Sequence, residues 1–392
     1  MRIIWGIVIA CLLSATTWTS ASELPLVEKQ VFTTTDFVTF GGETVAEVQV
    51  GWEAYGELND AKDNVILITH FFSGNSHAAG KYHEDDAQAG YWDAIIGPGK
   101  TIDTNRFFVI SVDTLVNQEP HNPMVTTTGP ASINPATGKP YGLDFPVVTM
   151  RDFVNVQKLV LESLGIEKLH AVIGASMGSL QALEWTVAYP DWVERLIHVI
   201  GMAEADPWTI ANLQQWAQPI MLDANWNNGD YYDGEAPLQG LQTTLGMITL
   251  GSLHPQIVNQ LYAATTARES APLENIRNNF SIVEQLRGLA AMRAQYADAN
   301  HILYLIRANQ LYLAGMGESL EAGLAKVNAK TLILPASNDL LLQPYLSERL
   351  YEGLKNANKD VTILPLDGPW GHLDGVYGIS QYAETIEQFL KK

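Results

Sequence analysis

The sequence predicts an α/β fold, with a mostly parallel sheet covered by helices on both faces and interrupted by a helical insertion. Three observations carry this reading. Short, wholly apolar runs recur along the chain, as expected of strands buried on both faces. Helix-period stretches separate several of them, which is how parallel strands are connected. One run also leads through Gly174-Ala175-Ser176-Met177-Gly178 directly into a helical pattern. The 392 residues are 47% hydrophobic and 17% charged, enough apolar material for a large core and unlike a disordered chain.

Taken in order, residues 1–22 read as a targeting segment outside the fold. Arg2 is its one charge, Ile3 to Leu13 is apolar, and small residues toward Ala21 and Ser22 offer cleavage sites. The expectation is an exported protein, periplasmic or secreted, with no membrane attachment after cleavage. Val8-Ile9-Ala10-Cys11 resembles a lipidation box, a second reading. Val31 to Leu58 reads as a hairpin turning at Gly41-Gly42, with Ala46, Val48 and Val50 on one face and Glu47 and Gln49 on the other. Buried strands are expected at Val65–His70, Phe107–Val112, Ala171–Gly174, Arg195–Ile200, Thr331–Pro335 and Val361–Pro365. Asp152 to Leu164 has helical spacing and is closed by Gly165. The core thus spans 23–205 and 325–392. Residues 206–324, rich in Gln, Ala, Asn and Leu, read as a helical cap with helices at Leu261–Glu269 and Ile282–Ala299. Trp208, Trp216 and Trp226 are read as cap core, with a share in lining a pocket.

Composition narrows the function. With 43 acidic against 23 basic residues the formal net charge is −20, which disfavours nucleic acid and anionic lipid as partners. The one cysteine excludes an intramolecular disulfide framework and any Cys-rich metal site. His77 and His83 with Glu84-Asp85-Asp86 lack metal-ligand spacing and read as a solvated loop. His170 and His198 sit within strand patterns as core or edge residues. Gly97-Pro98-Gly99-Lys100 lacks phosphate-loop spacing. A small molecule taken from solvent is the expected partner, and no metal or cofactor is called for.

The chemistry concentrates at Ser176. A serine at a sharp strand-to-helix turn projects its hydroxyl above the sheet edge, and glycines two before and two after let the backbone turn without clashes. This pattern resembles the nucleophile elbow of α/β-hydrolases. A hydroxyl needs a base held by an acid, and in this fold both follow the serine in the chain. Asp339 lies just past the strand at 331–335 and His372 past the strand at 361–365, with a helical stretch, Ser347–Lys355, between them. Ser176, Asp339 and His372 are therefore the expected triad. Asp367 and Asp374 are competing acids, read as loop caps. The backbone N–H groups of Phe72 and Met177 are the expected oxyanion donors, at the loop after an early strand and at the helix start.

Several stretches resemble the homoserine O-acetyltransferase family of the α/β-hydrolase superfamily, over most of the chain after residue 22. They are His70-Phe71-Phe72-Ser73-Gly74, Trp92 to Lys100, Thr128 to Pro135 through Tyr141-Gly142 and Asp144-Phe145-Pro146, and Gly174 to Gly178 with Gln181 to Trp185. The resemblance implies the same fold and triad, an acyl-serine intermediate, a cap-lined tunnel and a possible homodimer. It also implies departures. The family's carboxylate-holding arginine on a cap helix falls at Thr243, and the aspartate after the catalytic histidine falls at Leu373. With the export signal, these favour an exported esterase that cleaves small acyl esters. An O-acyltransferase acting on homoserine or a related alcohol is the alternative, and a catalytically idle binding protein on the same fold is the third reading.

Overall fold

The computed structural model describes residues 24–262, 272–317 and 319–391. The targeting segment, Cys11 and residues 263–269 of the expected helix at 261–269 lie outside them. Eight strands form one sheet: β1 (Gln30–Val38), β2 (Thr44–Tyr55), β3 (Val65–Thr69), β4 (Phe108–Val112), β5 (Ala171–Ala175), β6 (Arg195–Val199), β7 (Lys330–Leu334) and β8 (Val361–Ile363). Their order is β1-β2-β4-β3-β5-β6-β7-β8. Only β2 runs against the others, pairing antiparallel with β1 and β4. The side chains of β3 and β5 are wholly buried, as strands covered on both faces require.

The hairpin forms as expected, with Gly42 at φ +87° in its turn. Its inward face differs from the expected one. Val48 and Val50 are buried, but Ala46 is exposed and Val45 takes the interior position. Alternation breaks there because Asp36, opposite Ala46, has φ +53° and the ladder skips that pair. Helix α1 (Met150–Ser163) begins at a capping box, the Thr149 N–H donating to Asp152 Oδ2 at 2.7 Å, and ends before Gly165 at φ +70°. Helix α2 (Met177–Ala188) follows β5.

Between β6 and β7 the described chain is helical: α3 (Pro207–Leu222), α4 (Leu238–Gly251), α5 (Pro255–Leu261), α6 (Ser281–Arg293), α7 (Ala299–Gln310) and α8 (Leu320–Leu324). The helix expected over Ile282–Ala299 stops at Arg293, and Ala299 is the first residue of the next one. Asp298 adopts an extended conformation, and its carboxylate accepts the His301 N–H at 2.9 Å as the N-cap of α7. Helix α9 (Pro344–Asn356) joins the parallel strands β7 and β8, and α10 (Ala383–Lys391) follows. Trp216 and Trp226 are buried, whereas Trp208 is 61% exposed, so it does not belong to the core.

Candidate active site

The chain leaves β3 toward β4 on one side, then returns to lay β5 on the other. The crevice at such a reversal, outside the carboxyl ends of the strands, is where open α/β sheets place ligands. Here it juxtaposes the loop after β3, carrying Phe72, with the turn after β5, carrying Ser176.

The turn at Ser176 is tight. Ser176 has φ +55° and ψ −126°, a conformation that costs a non-glycine residue energy and survives only where its surroundings enforce it. Its N–H donates to the Val199 carbonyl at 2.9 Å, and Ser179 Oγ donates to the Ser176 carbonyl at 2.6 Å. The flanking glycines are required by contact. A Cβ at Gly174 would overlap Gly178 O and Thr69 Oγ1, and one at Gly178 would overlap Thr69 O. Helix α2 is thereby drawn against the end of β3.

Ser176 Oγ lies 2.8 Å from His372 Nε2, and His372 Nδ1 lies 2.7 Å from Asp339 Oδ2. The second Asp339 oxygen accepts the N–H groups of Leu341 and Leu342 at 2.8 and 3.0 Å. With both oxygens engaged, the carboxylate is fixed in place and orients the imidazole through Nδ1. Parallel pairing of β7 with β8, extended by the Ala336–Leu366 bridge, sets the two loops side by side. All three side chains are buried or nearly so, with Ser176 the most exposed at 9%. The competing acids are engaged elsewhere. Asp374 accepts the Trp370 and Gly371 N–H groups at 3.3 and 3.1 Å, and burial raises its pKa. Asp367 accepts from Ser337 Oγ at 2.5 Å.

The loop after β3 is pinned from several directions. His70 Nε2 accepts the Thr114 N–H at 3.1 Å, so its proton resides on Nδ1, which donates to Phe71 O at 2.9 Å. Burial lowers the His70 pKa and keeps the ring neutral for that role. Gln181 Nε2 donates to His70 O at 3.1 Å, and Asn117 Nδ2 donates to Gly74 O at 2.9 Å. The N–H groups of Phe72 and Met177 take no acceptor among the described residues, and both residues border the cavity above Ser176.

That cavity, about 730 Å³ including its mouth, is lined chiefly by apolar side chains, among them Phe71, Met202, Leu213, Trp216, Ile248 and Leu373. Trp216 meets Phe72 edge to face, ring centres 6.0 Å apart. No Asp, Glu, Lys or Arg is among its lining residues. Thr243 is not there either. It sits on the outer face of α4, exposed, with its hydroxyl donating to Gln239 O at 2.8 Å. Residues of α4 spaced four apart, Ile248 and Ser252 at its end, reach the cavity, and a helix turns about 100° per residue, which carries Thr243 away. The charge missing at Thr243 therefore does not describe the cavity. Sequence reasoning did not single out His70 or Gln181 for these positions, and named Trp216 only among three cap tryptophans with a share in lining a pocket. The position of His70 at the end of a strand run was the one available signal.

Comparison with known proteins identifies the family to which the fold belongs. A family model for the alpha/beta hydrolase fold matches residues 66–376. The homoserine O-acetyltransferase of Symbiobacterium thermophilum is 36% identical over 355 residues, covering 90% of this chain and 91% of that protein. Among solved structures, esterase E22 superposes with a TM-score of 0.91 at 60% identity, covering 93% of this chain and 100% of that one. The homoserine O-acetyltransferase of Bacillus anthracis superposes with a TM-score of 0.90 at 36% identity, covering 94% and 99%.

Proposed function

The chain belongs to the homoserine O-acetyltransferase family of the α/β-hydrolase fold, and within it we propose a carboxylic ester hydrolase that cleaves small esters through an acyl-serine. The observation that carries the proposal is the unbroken hydrogen-bonded chain Ser176–His372–Asp339 beneath an uncharged cavity. His372 Nε2 takes the Ser176 proton as Oγ attacks the acyl carbon, and the Phe72 and Met177 N–H groups receive the developing oxyanion. Collapse breaks the carbon–oxygen bond, and the alcohol leaves with the proton from His372. Water, deprotonated at the same nitrogen, then attacks the acyl-serine, and the acid departs as Oγ regains a proton.

Water as the second nucleophile is supported by the cavity and by the esterase relative. An amino-acid acceptor carries an ammonium, and no lining residue offers a carboxylate to meet it. Leu373 presents an apolar side chain beside His372, while the Asp374 carboxylate is turned onto loop N–H groups. The test measures acid release from a panel of acyl esters with and without millimolar homoserine. We expect hydrolysis with little O-acylhomoserine. Efficient formation of that product would promote the acyltransferase. Export belongs to the same proposal and rests on the apolar run Ile3–Leu13 alone. Mass spectrometry of the amino terminus of the periplasmic or secreted protein checks it, and an intact Met1 would remove it.

A further inference from the structure

The loop that carries one oxyanion donor is held by buried charges with no role in the cycle above. The Gly74 N–H donates to Phe71 O at 2.9 Å, closing a β-turn with Phe72 and Ser73 as its central pair. The aim of the Phe72 N–H is therefore set by how the two ends of that turn are held. The leading end follows β3 and His70. The trailing end runs to Ser76, which is fully buried. The Ser76 N–H donates to Asp113 Oδ1 at 2.7 Å, and Ser76 Oγ accepts from Lys29 Nζ. Lys29 Nζ also lies 2.8 Å from Glu53 Oε1 and 3.5 Å from Asp113 Oδ2. Lys29 comes from the chain just ahead of β1, Glu53 from β2, and Asp113 from the end of β4. Both carboxylates are fully buried, and Lys29 is the only lysine or arginine among the described residues within ion-pair distance of either. Burial alone would raise the Glu53 pKa, but His77, Lys29 and Tyr82 outweigh it and lower it to about 2, so the group is an ion at neutral pH. Removing one partner of such a buried group leaves charge uncompensated, and the carboxylate that grips Ser76 must then move or take up water.

We propose that Lys29, Glu53 and Asp113 are positioning residues for ester cleavage: the ammonium fixes the carboxylates, Asp113 and Lys29 fix Ser76, and Ser76 fixes the turn that aims the Phe72 N–H at the oxyanion. The inference rests on the hydrolase reading above and deepens it. An oxyanion donor works only where it meets the position the oxygen takes in the transition state, so a small displacement of the turn costs rate. None of the three residues lines the cavity. Their loss should therefore leave ester binding alone and act on acyl transfer.

The experiment compares 4-nitrophenyl acetate with its thionoester, in which sulfur replaces the carbonyl oxygen. Sulfur is the weaker hydrogen-bond acceptor, so the oxygen-over-sulfur ratio of kcat/KM reports how well the oxyanion donors are aimed. Intact sites are counted by titration with a fluorophosphonate, which keeps unfolded protein out of the rates. Lys29→Met, similar in length and uncharged, should lower kcat on the oxygen ester by roughly tenfold or more, part of the ~10² to 10³ that a whole donor carries. KM should stay nearly unchanged, and the oxygen-over-sulfur ratio should fall with kcat. Lys29→Arg keeps the charge and should restore part of both. Ser76→Ala removes one contact, leaves the backbone N–H on Asp113, and should lower the ratio in the same direction by a smaller factor. Equal losses on the two esters, with the ratio held at its wild-type value, would make the cluster merely structural and overturn the proposal. If Lys29→Met yields no titratable sites, the ratio in Ser76→Ala decides alone. Wild-type protein that turns over neither ester would instead count against the hydrolase reading itself.

Discussion

The two walls of the active site are built on different terms. The lower wall comes from the ends of β3, β5, β7 and β8, and backbone geometry dictates it: a positive φ at Ser176, glycines that admit no Cβ, and a carboxylate saturated by loop N–H groups. The upper wall comes from α3, α4 and Asn309 of α7 and is defined by which side chains, apolar ones such as Leu213, Trp216 and Ile248 above all, face inward. The first wall tolerates almost no substitution because its parts are mutually exclusive in space. The second can exchange Leu for Met or Trp for Phe and remain a wall. The difference teaches that reaction type resides in the sheet and substrate choice in the helices.

The sharpest way to break that division is at Ser176. Ser176→Ala should reduce ester turnover by roughly 10⁴-fold or more with the fold retained, since removing a nucleophile removes the covalent route. More than a few per cent residual activity in the purified variant would move the chemistry elsewhere. Next in size is the contrast between two carboxylates only a few residues from or bonded to His372. Asp339→Asn should lower kcat by about 10³- to 10⁴-fold by misorienting the imidazole. Asp374→Asn should change kcat only severalfold and show itself as a lowered Tm, because Asp374 holds loop N–H groups and not the ring. Equal kinetic losses would end the distinction.

A third substitution separates sheet geometry from chemistry. Gly178→Ala places a Cβ against the Thr69 carbonyl, a backbone atom that cannot swing away. We expect a loss of stability of about 1–3 kcal/mol or more in urea denaturation, accompanied by lost activity as α2 is pushed from β3. A variant as stable as the wild type would show that the elbow has slack that the geometry denies.

How far the site was legible follows the same division. Strand runs, the elbow and the chain order of Asp339 and His372 were readable because local pattern and sheet topology both act on them. The hairpin face was misread at Ala46 because one positive φ at Asp36 shifts the alternation, and an aspartate gives little warning of that. Thr243 was misplaced because its position relative to the cavity depends on the rotation of α4 about its axis, which helix packing sets. The break at Asp298 was legible in principle, Asp being a common N-cap, but it lay inside a continuous helix-period pattern. Lys29 reaches Ser76 across 47 residues of sequence, and nothing local marks it.

On the helical wall the expected effects are smaller and concern selectivity. Trp216 packs on Phe72 and closes one side of the cavity. Trp216→Ala should open room beside the acyl group and raise kcat/KM for hexanoyl relative to acetyl esters by about tenfold or more, the scale set by a few methylenes in an apolar pocket. A proportional loss for both esters would mean that Trp216 acts chiefly by holding the Phe72 loop, and would transfer it to the sheet-borne wall.

A last test asks whether the sheet is as dry beneath the site as it is tight. His198 in β6 is fully buried, its Nε2 3.3 Å from Met202 O and its Nδ1 without a partner among the described groups. Burial lowers its pKa from 6.5 to about 4, with the Met202 carbonyl acting weakly the other way. A depressed pKa means the unfolded chain binds the proton more readily. Stability from the neutral ring is therefore complete above pH 6.5 and is lost as the pH falls toward 4. The loss at the low end is about 3 kcal/mol, set by the size of that shift. Urea midpoints measured across this window should fall more steeply for wild type than for His198→Phe, whose ring cannot be protonated. Because the substitution also disturbs packing, the diagnostic quantity is the slope with pH and not the midpoint at any one value. Parallel slopes for the two proteins would show that water reaches His198 in the fold, and that the sheet under the nucleophile is less closed than its burial implies.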